Sequence, residues 1–307
     1  MKKILLILMC AAVLSAVLTA CTFTITEPEE NSSEEKLNIC ATLFPQYDFA
    51  RAIAGEKANT ELLLPPGTDS HSFDPSMQDV MKMENADIFI YTGSDMEPWS
   101  ASFAENAADD CVVIDVSSGI EKKNIIHDEH GHNADPHIWT SPANAIIIAK
   151  EICAAICEAD SENSEYYREN AEKLISELSK LDEDFRTCAE NAGDKKLYFG
   201  GEFAFLYLTE EYGFNYISLY DSCSEHAEPG AKKLNKIIED MKENKADIIF
   251  YPELSQPTAA ENIAKQTGAH TKLLHSCHNL SKEDFEAEKT YVSIMRENLE
   301  AVKEALM

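Results

Sequence analysis

Positive charge is scarce in this sequence. Its 307 residues include 26 lysines and arginines but 55 aspartates and glutamates, so the formal net charge at pH 7 is −29. A surface of this sign repels nucleic acids and anionic lipid headgroups, and it attracts cations. The composition therefore excludes nucleic-acid binding. Acidity also serves solubility in proteins that bind no metal, so charge alone does not predict a metal site.

Long hydrophobic runs are lacking too, apart from ILLILMCAAVLSAVL at residues 4–18, which is too short for a comfortable membrane span. Two lysines precede this run, as in a signal peptide. The run is followed by Cys21 in the segment LTAC, which resembles the lipobox of bacterial lipoproteins. We therefore predict a signal peptide at residues 1–20, with Cys21 as the lipid-modified first residue of the mature protein. An uncleaved anchor helix is the alternative.

The segment 21–36 is polar and acidic and has no periodic apolar pattern, which is typical of a flexible tether. The folded body is then predicted to work outside the cytoplasmic membrane, held to it by the lipid. At about 270 residues, this body is long enough for one large or two medium domains.

Cysteine motifs for metal binding are missing. The chain has nine cysteines but no CxxC pair and no zinc-ribbon spacing, so a cysteine-based metal site has little support. The seven cysteines that follow Cys21 are an odd number, which leaves at least one thiol unpaired.

Short apolar runs alternate with amphipathic stretches from Leu37 onward, which predicts strands alternating with helices. The predicted strands are 37–44, 60–64, 87–93, 111–117, 196–200, 214–220, 246–253 and 271–276. The predicted helices are 45–55, one from Pro75, 97–107, 142–159, 162–192, 202–212, 230–244, 258–268 and 285–306. This alternation is typical of an α/β fold with parallel sheets covered by helices on both faces.

Residues 162–192 contain neither glycine nor proline and keep an apolar stripe at helical spacing. They predict one long helix of about 45 Å. The predicted architecture is an N-terminal α/β lobe at 37–160, a rigid linking helix at 161–192 and a C-terminal α/β lobe at 193–307.

Four potential metal ligands lie at the end of a predicted strand or in the loop after one, two in each half: His71, His137, Glu202 and His275. In open α/β sheets, ligands bind beyond the carboxyl ends of the strands. Each of these residues alone has an ordinary explanation as a solvated side chain or as a carboxylate favoured by a helix dipole. Their shared position predicts a site between two facing lobes.

The segments HSFDPS (71–76) and DPHIWTSP (135–142) resemble two signatures of the bacterial solute-binding lipoproteins of zinc and manganese ABC transporters. The histidine-rich stretch before the second signature, the long helix and the lipobox resemble that family too. The resemblance covers 37–307. It implies a monomeric, two-lobed receptor that holds a metal between its lobes, passes it to a membrane permease and performs no chemistry on it.

The same resemblance implies a ligand set. His71 and His137 match the first two ligand positions, Glu202 the third, and His275 the fourth. Three imidazoles and one carboxylate suit tetrahedral Zn²⁺, whereas Mn²⁺ prefers more oxygen ligands. Four protein ligands would also leave no open position for the activated water of a hydrolase.

Several nearby residues remain alternatives to this set. Glu225, His226 and His278 are alternative ligands, and Glu253 is a strand-end carboxylate that could orient an imidazole. Cys223 and Cys277 are either a disulfide that braces the last loop or two free thiols.

Three further histidines, His127, His130 and His132, lie among Asp, Glu, Gly and Asn without an apolar anchor. Together they predict a mobile loop at 127–133 that collects zinc weakly beside the main site.

Three other functions stay open beside the zinc receptor: a Mn²⁺ receptor of the same family, an extracellular zinc metallohydrolase and a surface adhesin. The sequence contains no HExxH and no GxSxG motif, which argues against the hydrolase.

Overall fold

Two parallel β-sheets of four strands each lie at the centre of the structure. The structure is a computed structural model that describes residues 36–70, 72–125, 134–220 and 230–307. All described residues belong to one unit, Lys36–Met307. The prediction of two parallel α/β halves is confirmed.

The first sheet has the strand order β2-β1-β3-β4, and all three strand pairs are parallel. Buried apolar side chains on the central strands pack against helices on both faces, as parallel sheets require. The four strands are β1 (Leu37–Ala41), β2 (Ala58–Leu62), β3 (Ile88–Tyr91) and β4 (Val112–Asp115).

The second sheet repeats this arrangement with the order β6-β5-β7-β8, again parallel throughout. Its strands are β5 (Lys196–Phe199), β6 (Asn215–Ser218), β7 (Ile248–Tyr251) and β8 (His270–Leu273). In this order the carboxyl ends of β5, β7 and β8 are neighbours, so the loops that follow them lie side by side.

The described helices cover the sheets and connect the halves. In the first half they are α1 (Phe44–Ala54), α2 (Met77–Glu84), α3 (Ser100–Ala104) and α4 (Pro142–Ala159). They continue with α5 (Ser164–Ala192), α6 (Leu206–Tyr212), α7 (Ala231–Asn244), α8 (Thr258–Thr267), α9 (Lys282–Glu286) and α10 (Tyr291–Leu306). Short 3₁₀ turns lie at Gly55–Lys57, Ile138–Thr140 and Ser161–Asn163.

The long helix α5 has 29 residues, which gives it a length of about 44 Å. One face, including Tyr167, Leu178 and Phe185, is completely buried and packs against α1, α4 and α10. Apolar residues from both halves join this face in one continuous core. The predicted long helix is therefore confirmed, and its buried face packs in a core that both halves share.

Three predicted helices are longer than the observed ones. The stretch 97–107 is helical only at Ser100–Ala104. The stretch 285–306 is interrupted between α9 and α10, where Glu288 adopts a φ of 53° and Thr290 caps α10.

The stretch 202–212 was expected to be helical throughout, but α6 begins only at Leu206. Phe203 and Phe205 are buried, and their rings pack against Phe199 with centroids 5.0 and 5.5 Å away. This packing holds residues 202–205 outside the helix.

None of the helices in the described part of the chain is long and apolar enough to cross a membrane. The predicted signal peptide, Cys21 and the tether lie outside the described residues.

Candidate metal centre

The loop after β4 carries His137, whose side chain is 1% exposed. Its backbone N–H donates to Oδ1 of Asp135 at 2.8 Å, and the Nδ1 atom lies 3.0 Å from the same oxygen. A carboxylate only accepts hydrogen bonds, so Nδ1 of His137 is the donor and the lone pair of the neutral ring lies on Nε2. Asp135 therefore orients the imidazole as a ligand, in the way that carboxylates orient metal-binding histidines.

The start of α4 fixes the other end of this loop. Ser141 caps the helix by accepting a hydrogen bond from the backbone N–H of Asn144, and Pro142 occupies the first helical position. The Trp139 ring is fully buried and packs edge-to-face against His137 at a centroid distance of 5.5 Å. The DPHIW segment is thus rigid from both sides.

The loop after β8 presents two further buried histidines, His275 and His278. Between them Cys277 adopts a φ of 64°, a conformation that non-glycine residues rarely take and that often marks a functional site. Asn298 of α10 clamps the first histidine, since it accepts from the backbone N–H of His275 at 2.8 Å and donates to its carbonyl at 2.7 Å. The strained turn places both rings beside the loop after β7.

Glu253, in the loop after β7, lies between these two rings. Its Oε1 atom is 3.3 Å from Nδ1 of His275 and 3.2 Å from Nδ1 of His278. Ser276 donates to both carboxylate oxygens at 2.7 Å, from its backbone N–H and from its hydroxyl. Burial raises the pKa of Glu253, but the two imidazoles and the Ser276 hydrogen bonds outweigh it and hold the pKa below its ordinary value. The group is a buried carboxylate at pH 7.

Hydrogen-bond directions distinguish the two imidazoles. The single hydroxyl proton of Ser276 goes to Glu253, so the Nδ1 atom of His278, 2.6 Å from that hydroxyl, must donate to it. The lone pair of His278 is then on Nε2. In contrast, Nδ1 of His275 accepts from the backbone N–H of Cys277 at 2.9 Å, which puts the ring proton of neutral His275 on Nε2. This geometry favours His278 over the predicted His275 as a metal ligand.

Burial lowers the pKa of His278, and the nearby His137 and His275 lower it further against the opposing effect of Glu253. The ring is therefore neutral at pH 7, which is the form that binds metal. These mutual effects also mean that imidazoles from both halves lie near one another.

His71 lies outside the described residues, but the loop that leads to it is well held. Asn279, fully buried next to His278, donates from Nδ2 to the carbonyls of Pro65 at 2.8 Å and Thr68 at 2.7 Å. Asp69 is close enough to His278 to raise its pKa. Residues 65–69 therefore lie next to the HSCHN turn (275–279).

Glu202 is half-buried just after β5. The two glycines before it allow a close approach of neighbouring chain: a Cβ at Gly200 would lie 2.7 Å from Cα of Ala260, and one at Gly201 would lie 2.6 Å from Cδ of Pro252. The loop of Glu202 therefore packs directly against the loop of Glu253.

Direct hydrogen bonds join the two halves around these loops. The indole N–H of Trp139 donates to the carbonyl of Ser276 at 2.7 Å, and the Tyr291 hydroxyl donates to the carbonyl of Trp139 at 2.6 Å. The backbone N–H of Tyr291 donates in turn to Asp48 at 2.8 Å. The carboxyl ends of both sheets consequently face a common polar region.

The remaining predicted site residues have mixed outcomes. His127, His130, His132, Cys223, Glu225 and His226 lie outside the described residues. One member of the possible disulfide, Cys223, thus lies outside the described residues, and the other, Cys277, carries a free, fully buried thiol. Burial first, and nearby carboxylates second, raise the pKa of this thiol well above its ordinary value, which keeps it protonated and unreactive.

Among residues 36–70, 72–125, 134–220 and 230–307 alone, no group of three or more His, Cys, Asp or Glu side chains could hold a metal ion. His137 and His278 need further ligands to complete a site.

Sequence reasoning missed the residues that support the ligands. Asp135, Ser276, Asn279 and Asn298 contact the histidines or their loops. The DPH and HSCHN segments do contain three of them within two residues of a histidine, and that proximity is a usable signal. Asn298, on α10, gives no such signal.

Two parallel α/β sheets on one long helix, with buried imidazoles and carboxylates at the strand ends, define a bilobed binding protein whose polar site suits a small cation. The family model ZnuA, described as "Zinc-uptake complex component A periplasmic", matches residues 39–305. The chain belongs to the ZnuA family.

Individual relatives agree with this assignment. The chain is 32% identical to the high-affinity zinc uptake system protein ZnuA of Bacillus subtilis (strain 168), over 94% of this chain and 93% of that protein. It is 31% identical to the zinc-binding lipoprotein AdcA of Streptococcus pneumoniae (strain ATCC BAA-255 / R6), covering 99% of this chain but only 61% of AdcA. The crystal structure of the Zn(II)-bound ZnuA-like domain of S. pneumoniae AdcA matches with a TM-score of 0.75 and 31% identity, over 88% of this chain and 99% of that domain.

Proposed function

We propose that this protein binds Zn²⁺ outside the cytoplasmic membrane and delivers it to the permease of an ABC importer. The observation that carries this proposal is the pair of buried imidazoles from opposite halves, His137 and His278, each with Nδ1 committed to a supporting hydrogen bond. That commitment leaves Nε2 of each neutral ring as the atom with the lone pair, which is what a zinc ligand requires. The relatives named for zinc uptake and zinc binding support the same cargo.

The ligand set that we propose is His71, His137, Glu202 and His278. His278 takes the place of His275, the ligand that the sequence predicts, because the two rings carry their protons on different nitrogens. Glu202 is included because its loop packs against that of Glu253, one strand away.

Zinc fits this set better than manganese does. Three neutral imidazoles and one carboxylate match tetrahedral Zn²⁺, with ligands at about 2.0–2.2 Å. Mn²⁺ prefers more oxygen ligands and binds most weakly among the divalent metals of the first transition row. Four protein ligands also leave no open position for a catalytic water, which favours a receptor over a metallohydrolase.

Attachment by a lipid on Cys21 is part of the proposal. The LTAC segment supports it, as does the lipoprotein name of the AdcA relative. The same arrangement would keep the receptor beside its permease and concentrate collected zinc there. We also propose that 127–133 is an accessory loop that binds zinc weakly.

Calorimetric titration of the metal-stripped full chain with Zn²⁺ tests the proposal. One tight site is expected, together with weaker sites that disappear when 127–133 is deleted. His137→Ala and His278→Ala should abolish the tight site, whereas His275→Ala should keep it. His270→Ala, at an exposed histidine at the start of β8, is the matched control. A tight site that survives both His137→Ala and His278→Ala would refute the ligand assignment.

Hydrolytic turnover by the zinc-loaded protein would refute the receptor assignment. The permease step is tested separately, by zinc uptake into cells that carry the importer with this protein or with its His278→Ala variant. Restoration of uptake by the variant would contradict delivery from the proposed site.

A further inference from the structure

The carboxylate of Glu253 contacts both histidines of the HSCHN turn. This side chain is 6% exposed, and both of its oxygens accept hydrogen bonds. Oε2 accepts from the backbone N–H of Ser276, while Oε1 accepts from the hydroxyl of the same residue, both at 2.7 Å. The side chain is thus held at both oxygens by one neighbour.

The hydroxyl of Ser276 connects Glu253 to His278. An oxygen with a single proton cannot donate both to Oε1 of Glu253 and to Nδ1 of His278, which lie 2.7 and 2.6 Å from it. Because the carboxylate has no proton to give, the direction of the chain is fixed. His278 donates to Ser276, and Ser276 donates to Glu253.

We propose that Glu253 is a positioning residue which, through Ser276, fixes the tautomer of His278 and so makes its Nε2 atom the metal ligand. This inference rests on the proposed function in one respect, namely that His278 binds the metal. Negative charge relayed to Nδ1 also raises the basicity of Nε2, as carboxylates do for other metal-binding histidines. His275 lies just as near to Glu253, but its Nδ1 accepts from the backbone N–H of Cys277 and is not hydrogen-bonded to the Ser276 hydroxyl.

The substitution Glu253→Gln should reverse this chain of hydrogen bonds. The backbone N–H of Ser276 requires an acceptor, so the amide oxygen takes the place of Oε2 and the NH₂ group takes the place of Oε1. That NH₂ group donates to the Ser276 hydroxyl, which must then turn its proton toward Nδ1 of His278. The ring proton moves to Nε2, and the imidazole can no longer bind a cation there.

The substitution Ser276→Ala should have a smaller effect, although it removes the middle of the chain. Nδ1 of His278 is 3.2 Å from Oε1 of Glu253, close enough to donate to it directly once the hydroxyl is gone. The tautomer is then preserved. A larger loss of zinc affinity in Glu253→Gln than in Ser276→Ala therefore indicates the relay. A general structural disturbance would instead reduce affinity in proportion to the number of contacts that each variant loses.

The test combines two measurements on the metal-stripped full chain. Long-range ¹⁵N–¹H NMR of the histidine rings reports which nitrogen of His278 carries the proton, and Zn²⁺ titration reports affinity. We expect the Nδ1–H form in the wild type and in Ser276→Ala, and the Nε2–H form in Glu253→Gln. Zinc affinity should fall about 10- to 100-fold in Glu253→Gln, and less in Ser276→Ala.

Ser255→Ala is the matched control, since that hydroxyl donates to the carbonyl of Pro252 in the same loop and does not touch the histidines. The inference is overturned if Glu253→Gln keeps the Nδ1–H form, or if Ser276→Ala loses as much affinity as Glu253→Gln. If the wild type has no tight zinc site, the proposed function fails instead, and the NMR measurement still decides on the relay.

Discussion

Replacing Asn279 with alanine should weaken both the fold and the metal site. This side chain makes three hydrogen bonds, two of which join the halves: Nδ2 donates to the carbonyls of Pro65 and Thr68, and Oδ1 accepts from the backbone N–H of the next residue, Leu280. Asn279 is fully buried, so in the alanine variant no water would replace it as the acceptor for the backbone N–H of Leu280.

The size of the effect follows from these bonds. A buried hydrogen bond contributes about 1 kcal/mol net, so Asn279→Ala should lower the free energy of unfolding by about 3 kcal/mol. The loop that leads to His71 also loses its two anchors, so we expect zinc affinity to fall by about tenfold, equivalent to about 1.4 kcal/mol.

Urea unfolding of the metal-free protein measures the first quantity, and zinc titration measures the second. Asn279→Asp sharpens the test, because it keeps the acceptor for Leu280 but turns a carboxylate toward two carbonyl oxygens. It should be less stable than the alanine variant at pH 7. Asn191→Ala is the control, because this exposed asparagine donates only to the carbonyl of Thr187 within its own helix. The reasoning is refuted if Asn279→Ala and Asn191→Ala lose equal stability.

Three further predictions concern other parts of the molecule. Burial raises the pKa of Glu97 from 4.5 to about 7, so ionisation of this side chain opposes folding above pH 7 and has no cost below pH 4.5. Glu97→Gln should therefore be more stable than the wild type by on the order of 3 kcal/mol at pH 8. A difference in unfolding free energy, measured in urea, that did not shrink on acidification would contradict this. Gly201→Ala should destabilise by about 1–3 kcal/mol because its methyl would meet Pro252, whereas Gly230→Ala, where no described atom lies within 4 Å, should change thermal stability little. Trp139→Phe removes an indole hydrogen bond that joins the halves, so it should lower the free energy of unfolding in urea by about 2 kcal/mol. An unchanged urea midpoint would contradict a stabilising role for that bond.

The repeating pattern of the chain was sufficient to predict the fold. Strand and helix periodicities, and the absence of Gly and Pro from the long helix, depend on local sequence and predict elements well. One exception, the start of α6, reflects aromatic packing between Phe203, Phe205 and Phe199, which overrides helical propensity. Such contacts depend on the tertiary fold and leave no periodic signature.

The site was predictable only in part. Strand-end position and family signatures drew attention to the HSCHN segment, but they did not distinguish His275 from His278. That distinction depends on which nitrogen of each ring carries the proton, and this follows from Ser276, Glu253 and the positive φ of Cys277. Hydrogen-bond direction is a property of the assembled loops, so no spacing rule contains it.

The hydrogen bond between Asp48 and the backbone of Tyr291 spans 243 residues of sequence. Together with the Trp139–Ser276 bond across 137 residues, it means that the cleft is assembled from contacts that close very long loops. Long loops close late, because their entropy must be lost before the contacts compensate for it. A growing or partly refolded chain therefore contains its histidines well before it can use them together. The proposed tight site therefore forms only after both halves have folded.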